Sequence, residues 1–211
     1  MNAPDKLPVL TLDADGWIRE AERLPSPNFD VRPQGMPIGL LVVHNISLPP
    51  GQFGGDEIPA FFQNRLDHDA HPFFDEIRGV HVSSHFLVRR DGALQQFVSC
   101  DARAWHAGAS SFEGRTRCND FSIGVELEGT DDLPFTMAQY VTLAALTRVL
   151  REQYPIQAVA GHADIAPGRK TDPGPHFEWQ RLRRMAGLTP QALPFQTASR
   201  GDMSGDAEGG D

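Results

Sequence analysis

The apolar run Leu40-Leu-Val-Val43 breaks abruptly into His44-Asn45, and four consecutive apolar residues read as a strand buried on both faces. The pattern predicts that strand over residues 38–44. Residues 56–66 (DEIPAFFQNRL) predict a short helix with Asp56 as N-cap and acids in its first turn. Residues 84–90 and 93–99 flank Asp91-Gly92, a strong hairpin signal. Residues 121–128 (FSIGVELE) alternate, with Phe121, Ile123, Val125 and Leu127 on one face and Ser122, Gly124, Glu126 and Glu128 on the other. Thr136 and Gln139 fit a capping box opening a long helix, whose stripe is Tyr140, Leu143, Ala144, Thr147 and Leu150. Ala158-Val-Ala160 delivers Gly161-His162, and the amphipathic stretch 177–185 reads as the last helix. Strands and helices mixed in this order, with an antiparallel hairpin among them, predict an α/β domain: a central mixed sheet flanked by helices.

Length and composition place boundaries on that picture. The 211 residues suit one domain with tails: an N-terminal segment 1–15, a domain 16–187 and a flexible acidic tail 188–211 ending in TASRGDMSGDAEGGD. A net charge of −9 argues against a general nucleic-acid or membrane-surface binder, since both require basic patches. An acidic small-molecule ligand would need a local group of Arg and Lys. The two cysteines form no CxxC pair, which suggests neither a disulfide framework nor a thiolate metal cluster. The N-terminus lacks the basic start and apolar core of a signal peptide, and no stretch has the length of a membrane span. The expectation is a cytoplasmic protein with no nucleic acid, membrane or obligate protein partner.

Eight histidines invite sorting. His81 and His85 sit in a strand-like segment, where four residues span about 13 Å, too far to share one ion. His68 and His71 fall in a polar loop, where solvated histidines are the rule. His106, in Trp105-His106-Ala107-Gly108, either lines a cleft beside the indole or simply packs. His44 and His162 differ, because each follows a short apolar segment and should emerge at a strand end, where open α/β sheets place their sites. Asp172 lies ten residues beyond His162, before Pro173, which biases it to extended backbone and sets it on the same side as Lys170. It is either the third ligand of a metal or the cap of a following turn. Two imidazoles and a carboxylate leave one zinc position open, the catalytic arrangement. Glu126, on the polar face of its strand, is then a candidate general base. The alternatives are a solvated face shared with Glu128, or a Glu126–Glu128 pair about 7 Å apart doing glycoside hydrolysis.

Five segments in order, HNISLPPGQFGG (44–55), AHPFF (70–74), RAWHAG (103–108), RCNDFSIGVELEGT (117–130) and GHADIAPGRKTDPGP (161–175), resemble the AmpD-type N-acetylmuramoyl-L-alanine amidases. These are bacterial zinc enzymes of peptidoglycan recycling, related in fold to phage lysozyme-like amidases and peptidoglycan recognition proteins. The resemblance runs from about Gly16 to Gly187. It implies zinc on His44, His162 and Asp172, Glu126 as acid/base, Lys170 as oxyanion stabiliser, and Asn45, Arg117 and Trp105 as substrate contacts. It implies hydrolysis of the amide between the lactyl group of (1,6-anhydro-)N-acetylmuramic acid and the L-alanine of a stem peptide, with a muropeptide as substrate. One departure is His81, where some relatives are expected to place an arginine. A metal-free peptidoglycan-binding module of the same fold is the non-enzyme alternative.

Overall fold

The computed structural model describes residues 6–196. The end of the expected tail, 197–211, lies outside the described residues. Among the described residues there are ten strands: β1 (Glu22–Arg23), β2 (Phe29–Val31), β3 (Leu40–Ile46), β4 (Phe86–Val88), β5 (Leu94–Gln96), β6 (Ala102–Ala104), β7 (Ser111–Phe112), β8 (Arg115–Thr116), β9 (Ser122–Glu128) and β10 (Ala158–Gly161). The helices are α1 (Glu57–Phe62), α2 (Pro72–Glu76), α3 (Met137–Gln153), α4 (His162–Ile165) and α5 (Trp179–Ala186).

The central sheet runs β1-β5-β4-β9-β3-β10. Strand β9 pairs in parallel with both β3 and β4, and β10 lies parallel to β3. The β4–β5 hairpin is antiparallel about Asp91-Gly92, where Gly92 takes the positive φ (+90°) that the turn requires. This is the mixed sheet expected from the pattern. Two small ribbons, β2–β6 and β7–β8, stand apart from it.

Helices α3 and α5 cover one face of the sheet. Their Tyr140, Leu143, Leu146, Leu150 and Leu182 pack on Leu41, Val43, Ile123, Val125 and Leu127. Thr136 caps α3 as the sequence indicates, its hydroxyl accepting from Gln139 N and the Gln139 side chain accepting from Thr136 N. The other face divides in two. Leu40, Val42, Ala158 and Ala160 pack under the 107–121 segment, while Phe61, Phe62 and Phe74 of α1 and α2 pack on Leu87 and Phe97.

Several expectations shift. Asp56 occupies the N-cap of α1, but its side chain makes no capping hydrogen bond. His71, placed in a loop, caps α2 by accepting from Phe73 N. Residues 188–193 are no tail, because Leu188, Ala192 and Leu193 are buried in the core beyond α5. At the other end, Leu7, Leu10 and Leu12 pack against the same cluster. Their apolar side chains have a groove to fill, and a reading based on distance from the chain ends does not register that.

Leu143 is fully buried at the α3–sheet interface. Leu143→Ala should lower unfolding stability by about 2–5 kcal/mol, read as a reduced urea midpoint with an unchanged m-value.

Candidate active site

The C-terminal halves of the parallel strands β3 and β9 and the end of β10 come together. His44 lies on β3 directly opposite Glu126 on β9, and paired residues of adjacent strands project to the same face. β10 ends at Gly161, so His162 begins α4 at the same level. The loop after α4 returns to place Asp172, whose carbonyl accepts from Ala163 N at 2.9 Å.

His44 Nδ1 lies 3.0 Å from His162 Nδ1 and 3.0 Å from Asp172 Oδ2, and His162 Nδ1 lies 3.2 Å from the same oxygen. A tetrahedral zinc with bonds of about 2.0–2.1 Å sets its ligands roughly 3.3 Å apart. Among the described residues this is the group of histidines and acids arranged to hold a metal. The donor set of two nitrogens and one oxygen fits such an ion and leaves a position open. The structure thus brings together the three residues that the sequence singles out as candidate ligands.

The far nitrogens are also engaged: His44 Nε2 lies 2.9 Å from His106 Nδ1, and His162 Nε2 lies 3.1 Å from the Ala107 carbonyl. Burial pushes His44 down to about 4. Burial works to raise Asp172, but the flanking His162 and His44 outweigh it and hold the carboxyl well below its ordinary range. Neutral imidazole and ionised carboxylate are the states a metal requires. Burial, then the neighbouring His44 and His85, drives His106 well below the usual imidazole value, so it too is neutral.

Glu126 is buried, and its Oε2 has no hydrogen-bond partner among the described residues. Burial first, then the charge of Asp172, raises it well above the ordinary carboxylate range, with Lys170 opposing. Glu128, two residues on, is also buried rather than solvated. Its Oε1 accepts from Gly54 N at 2.6 Å and its Oε2 from Arg90 N at 3.0 Å, with Arg89 beside it at 3.4 Å. With those partners Glu128 is a structural anchor, which removes the paired-carboxylate reading.

A cleft of about 660 Å³ opens beside the cluster, lined by Asn45, Ser47, Gly51, Asp131, Lys170 and Asp172 among others. Asn45 Nδ2 donates to Asp131 Oδ1 at 2.6 Å. Trp105 and Arg117 do not line this cleft: the indole N–H donates to Asp30 at 3.2 Å, and the exposed Arg117 pairs with Asp120 at 3.2 Å. His81 is exposed, 3.1 Å from the Asn64 amide oxygen.

Residues 34–175 match the family described as N-acetylmuramoyl-L-alanine amidase. The chain belongs to that family. This amidase is 58% identical over 176 residues to the 1,6-anhydro-N-acetylmuramyl-L-alanine amidase AmpD of Salmonella typhimurium (strain SL1344), covering 82% of this chain and 94% of that protein. It is 59% identical over 170 residues to AmpD of Escherichia coli K12, covering 80% and 93%. A crystal structure of an AmpD selenomethionine derivative superposes with a TM-score of 0.82 at 56% identity, covering 85% of this chain and 99% of that one. AmiD of E. coli, solved with anhydro-N-acetylmuramic acid-L-Ala-D-gamma-Glu-L-Lys, superposes at 0.52 with 30% identity, covering 84% and 65%. The expected fold and family are thus borne out. No helix among the described residues is long and apolar enough to cross a membrane.

The residues around the histidines were the part the sequence reading left open or missed. His106 neither lines the cleft nor merely packs, and Ser122 and Asn119 bind it. Gly124, a glycine inside a strand, was the available signal, since such a residue marks a close approach.

The raised Glu126 gives a prediction for the metal-free protein. The folded state holds a proton that the unfolded chain releases above about pH 4.3, so stability falls as pH rises through that window. Glu126→Gln should therefore be more stable than the parent at pH 7, with the gap closing below about pH 4.3. Paired denaturant curves across pH would show it.

Proposed function

We propose that this amidase hydrolyses the amide joining the lactyl group of (1,6-anhydro-)N-acetylmuramic acid to the L-alanine of a stem peptide, in peptidoglycan recycling, with zinc on His44, His162 and Asp172. The reading rests on three candidate ligand atoms converging at 3.0–3.2 Å beside a buried carboxylate whose Oε2 has no partner among the described residues. Relatives named for this activity support it.

A bound zinc ion supplies Lewis acidity, polarising an oxygen and bringing the pKa of water toward 7. Glu126, set beside His44 by the strand register, takes the proton of the attacking water and delivers it to the leaving α-amine of L-alanine. Its free Oε2 leaves an acceptor for that proton. Lys170 faces the same site and supplies positive charge to the developing oxyanion. Its influence on both Glu126 and His44 supports that placement.

Asn45 is proposed to orient the substrate from the cleft wall, held by Asp131. Arg117 is proposed to meet a stem-peptide carboxylate: its side chain is 70% exposed, and it shares Asp120 with Arg103, which leaves guanidinium donors free. Trp105 is proposed as an apolar contact at the periphery. The domain is read as spanning 16–187 with its packed extension to 193. A cytoplasmic location is proposed, and the two buried free thiols, Cys100 and Cys118, support a reducing compartment.

Mass spectrometry of an anhydro-muropeptide digest tests the whole. Intact stem peptide should appear only in the metal-replete sample and disappear with a zinc chelator. Cleavage between sugars, or chelator-insensitive release, would overturn the assignment. Glu126→Gln should lose about 10²–10⁴ in kcat while still binding stoichiometric zinc. Arg117→Glu should raise KM at low salt with kcat little changed; an unaltered KM would remove Arg117 from the substrate contacts.

A further inference from the structure

The cluster attracts a cation only if both imidazoles present bare Nδ1 atoms, and a neutral imidazole has two tautomers available. Counting hydrogens outward from backbone carbonyls decides which one is held. The Cys118 carbonyl can only accept, so Ser122 donates its hydroxyl hydrogen there at 2.6 Å. Ser122 Oγ must then accept at its 3.1 Å contact with His106 Nε2, which puts the hydrogen of the neutral His106 on that nitrogen. His106 Nδ1 is therefore bare, and it accepts from His44 Nε2–H at 2.9 Å. His44 is left with a bare Nδ1 facing Asp172 and His162, so the relay opposes the pull of the Asp172 carboxylate, which alone would draw a hydrogen onto that nitrogen.

The route to His162 is shorter. The Ala107 carbonyl accepts from His162 Nε2–H at 3.1 Å, leaving its Nδ1 bare as well. An Arg169 terminal nitrogen lies 3.3 Å from His162 Nε2, but its two hydrogens go to the nearer Ala107 and Ala109 carbonyls at 2.8 and 2.7 Å.

Both routes pass through one dipeptide. His106 turns His44 with its side chain, and Ala107 turns His162 with its carbonyl. The buried Asn119 holds the pair, its Oδ1 accepting from His106 N at 3.2 Å and Ala107 N at 2.8 Å. Gly124 completes the seat, because a Cβ there would lie 2.5 Å from Cγ of the His106 ring.

We propose that His106-Ala107, clamped by Asn119, is a positioning device that fixes both metal-ligating histidines as Nε2–H tautomers before any metal arrives. His106, Ser122 and Asn119 are positioning residues: they act through His44 and His162 and touch neither metal nor substrate. The inference rests on the metal reading above for its consequence, although the tautomers themselves are a property of the metal-free chain.

Long-range ¹H–¹⁵N NMR of the metal-free protein reads the tautomer of each ring, and chelator competition reads zinc affinity. In the parent, His44 and His162 should both be Nε2–H. His106→Phe keeps the ring bulk and removes its nitrogens; His44 should then populate Nδ1–H against Asp172, with zinc affinity falling about 10–100-fold, the range for such outer partners. His162 should stay Nε2–H. Asn119→Leu should weaken zinc binding through both rings, whereas Asn119→Asp, which retains the acceptor, should restore it. If His106→Phe does not fold, Ser122→Ala tests the same relay by freeing the His106 tautomer. Nδ1–H on His44 in the parent would overturn the proposal. So would an unchanged His44 tautomer and zinc affinity in His106→Phe or Ser122→Ala. A parent with both rings Nε2–H that takes up no zinc would instead remove the metal reading and leave the tautomer assignment intact.

Discussion

The parallel pairing of β3 with β9 sets His44 opposite Glu126, and a slip of one residue would turn both strands' side chains to the wrong faces. Burial on both sides prevents that slip. Leu41 and Val43 lock one face into the α3–α5 core, and Leu40 and Val42 lock the other under the 107–121 segment. The strand could leave its register only by exposing four fully buried apolar side chains. The His44 imidazole and the Glu126 carboxylate are thus held at a fixed separation by residues with no chemistry of their own.

Two buried carboxylates on one face of β9 have very different surroundings. Glu128 is fully partnered by Gly54 N, Arg90 N and Arg89, so it ties the loop after β3 to the β4–β5 hairpin. Glu126, on the same strand face, keeps an oxygen unpartnered. An unpaired buried polar atom carries a desolvation cost of order 1–3 kcal/mol. That cost is borne beside the His44, His162 and Asp172 cluster, where a perturbed carboxylate marks a candidate site.

The fold and two members of the candidate cluster were legible for the same reason: His44 and His162 each follow a short apolar segment. Ala158–Ala160 announced His162 at the end of β10, and Leu40–Val43 announced His44, although β3 runs two residues past it to Ile46. The alternation over 121–128 put Glu126 on the correct face. It misjudged the surroundings of that face, since alternation alone cannot tell water from a covering loop, and residues 106–108 and 118–120 provide that cover. The hydrogen-bond partners of His106 come from segments 13 to 62 residues away. No local spacing encodes such a meeting. The chain boundary at 187 was misplaced for a related reason: Leu188 and Leu193 find their partners only once the sheet exists.

The placement of β10 gives those last residues a meaning of their own. It is the outermost strand on its side of the sheet, parallel and four residues long, and it carries the turn that begins α4. An open strand edge offers unpaired N–H and C=O groups to any passing chain. The short 3₁₀ turn Pro190–Ala192 lies against β10, and Ala192 and Leu193 are buried beside it. Residues 188–193 thereby blunt the edge from which His162 is delivered, guarding the molecule against edge-to-edge association at the strand that a second copy would most readily extend.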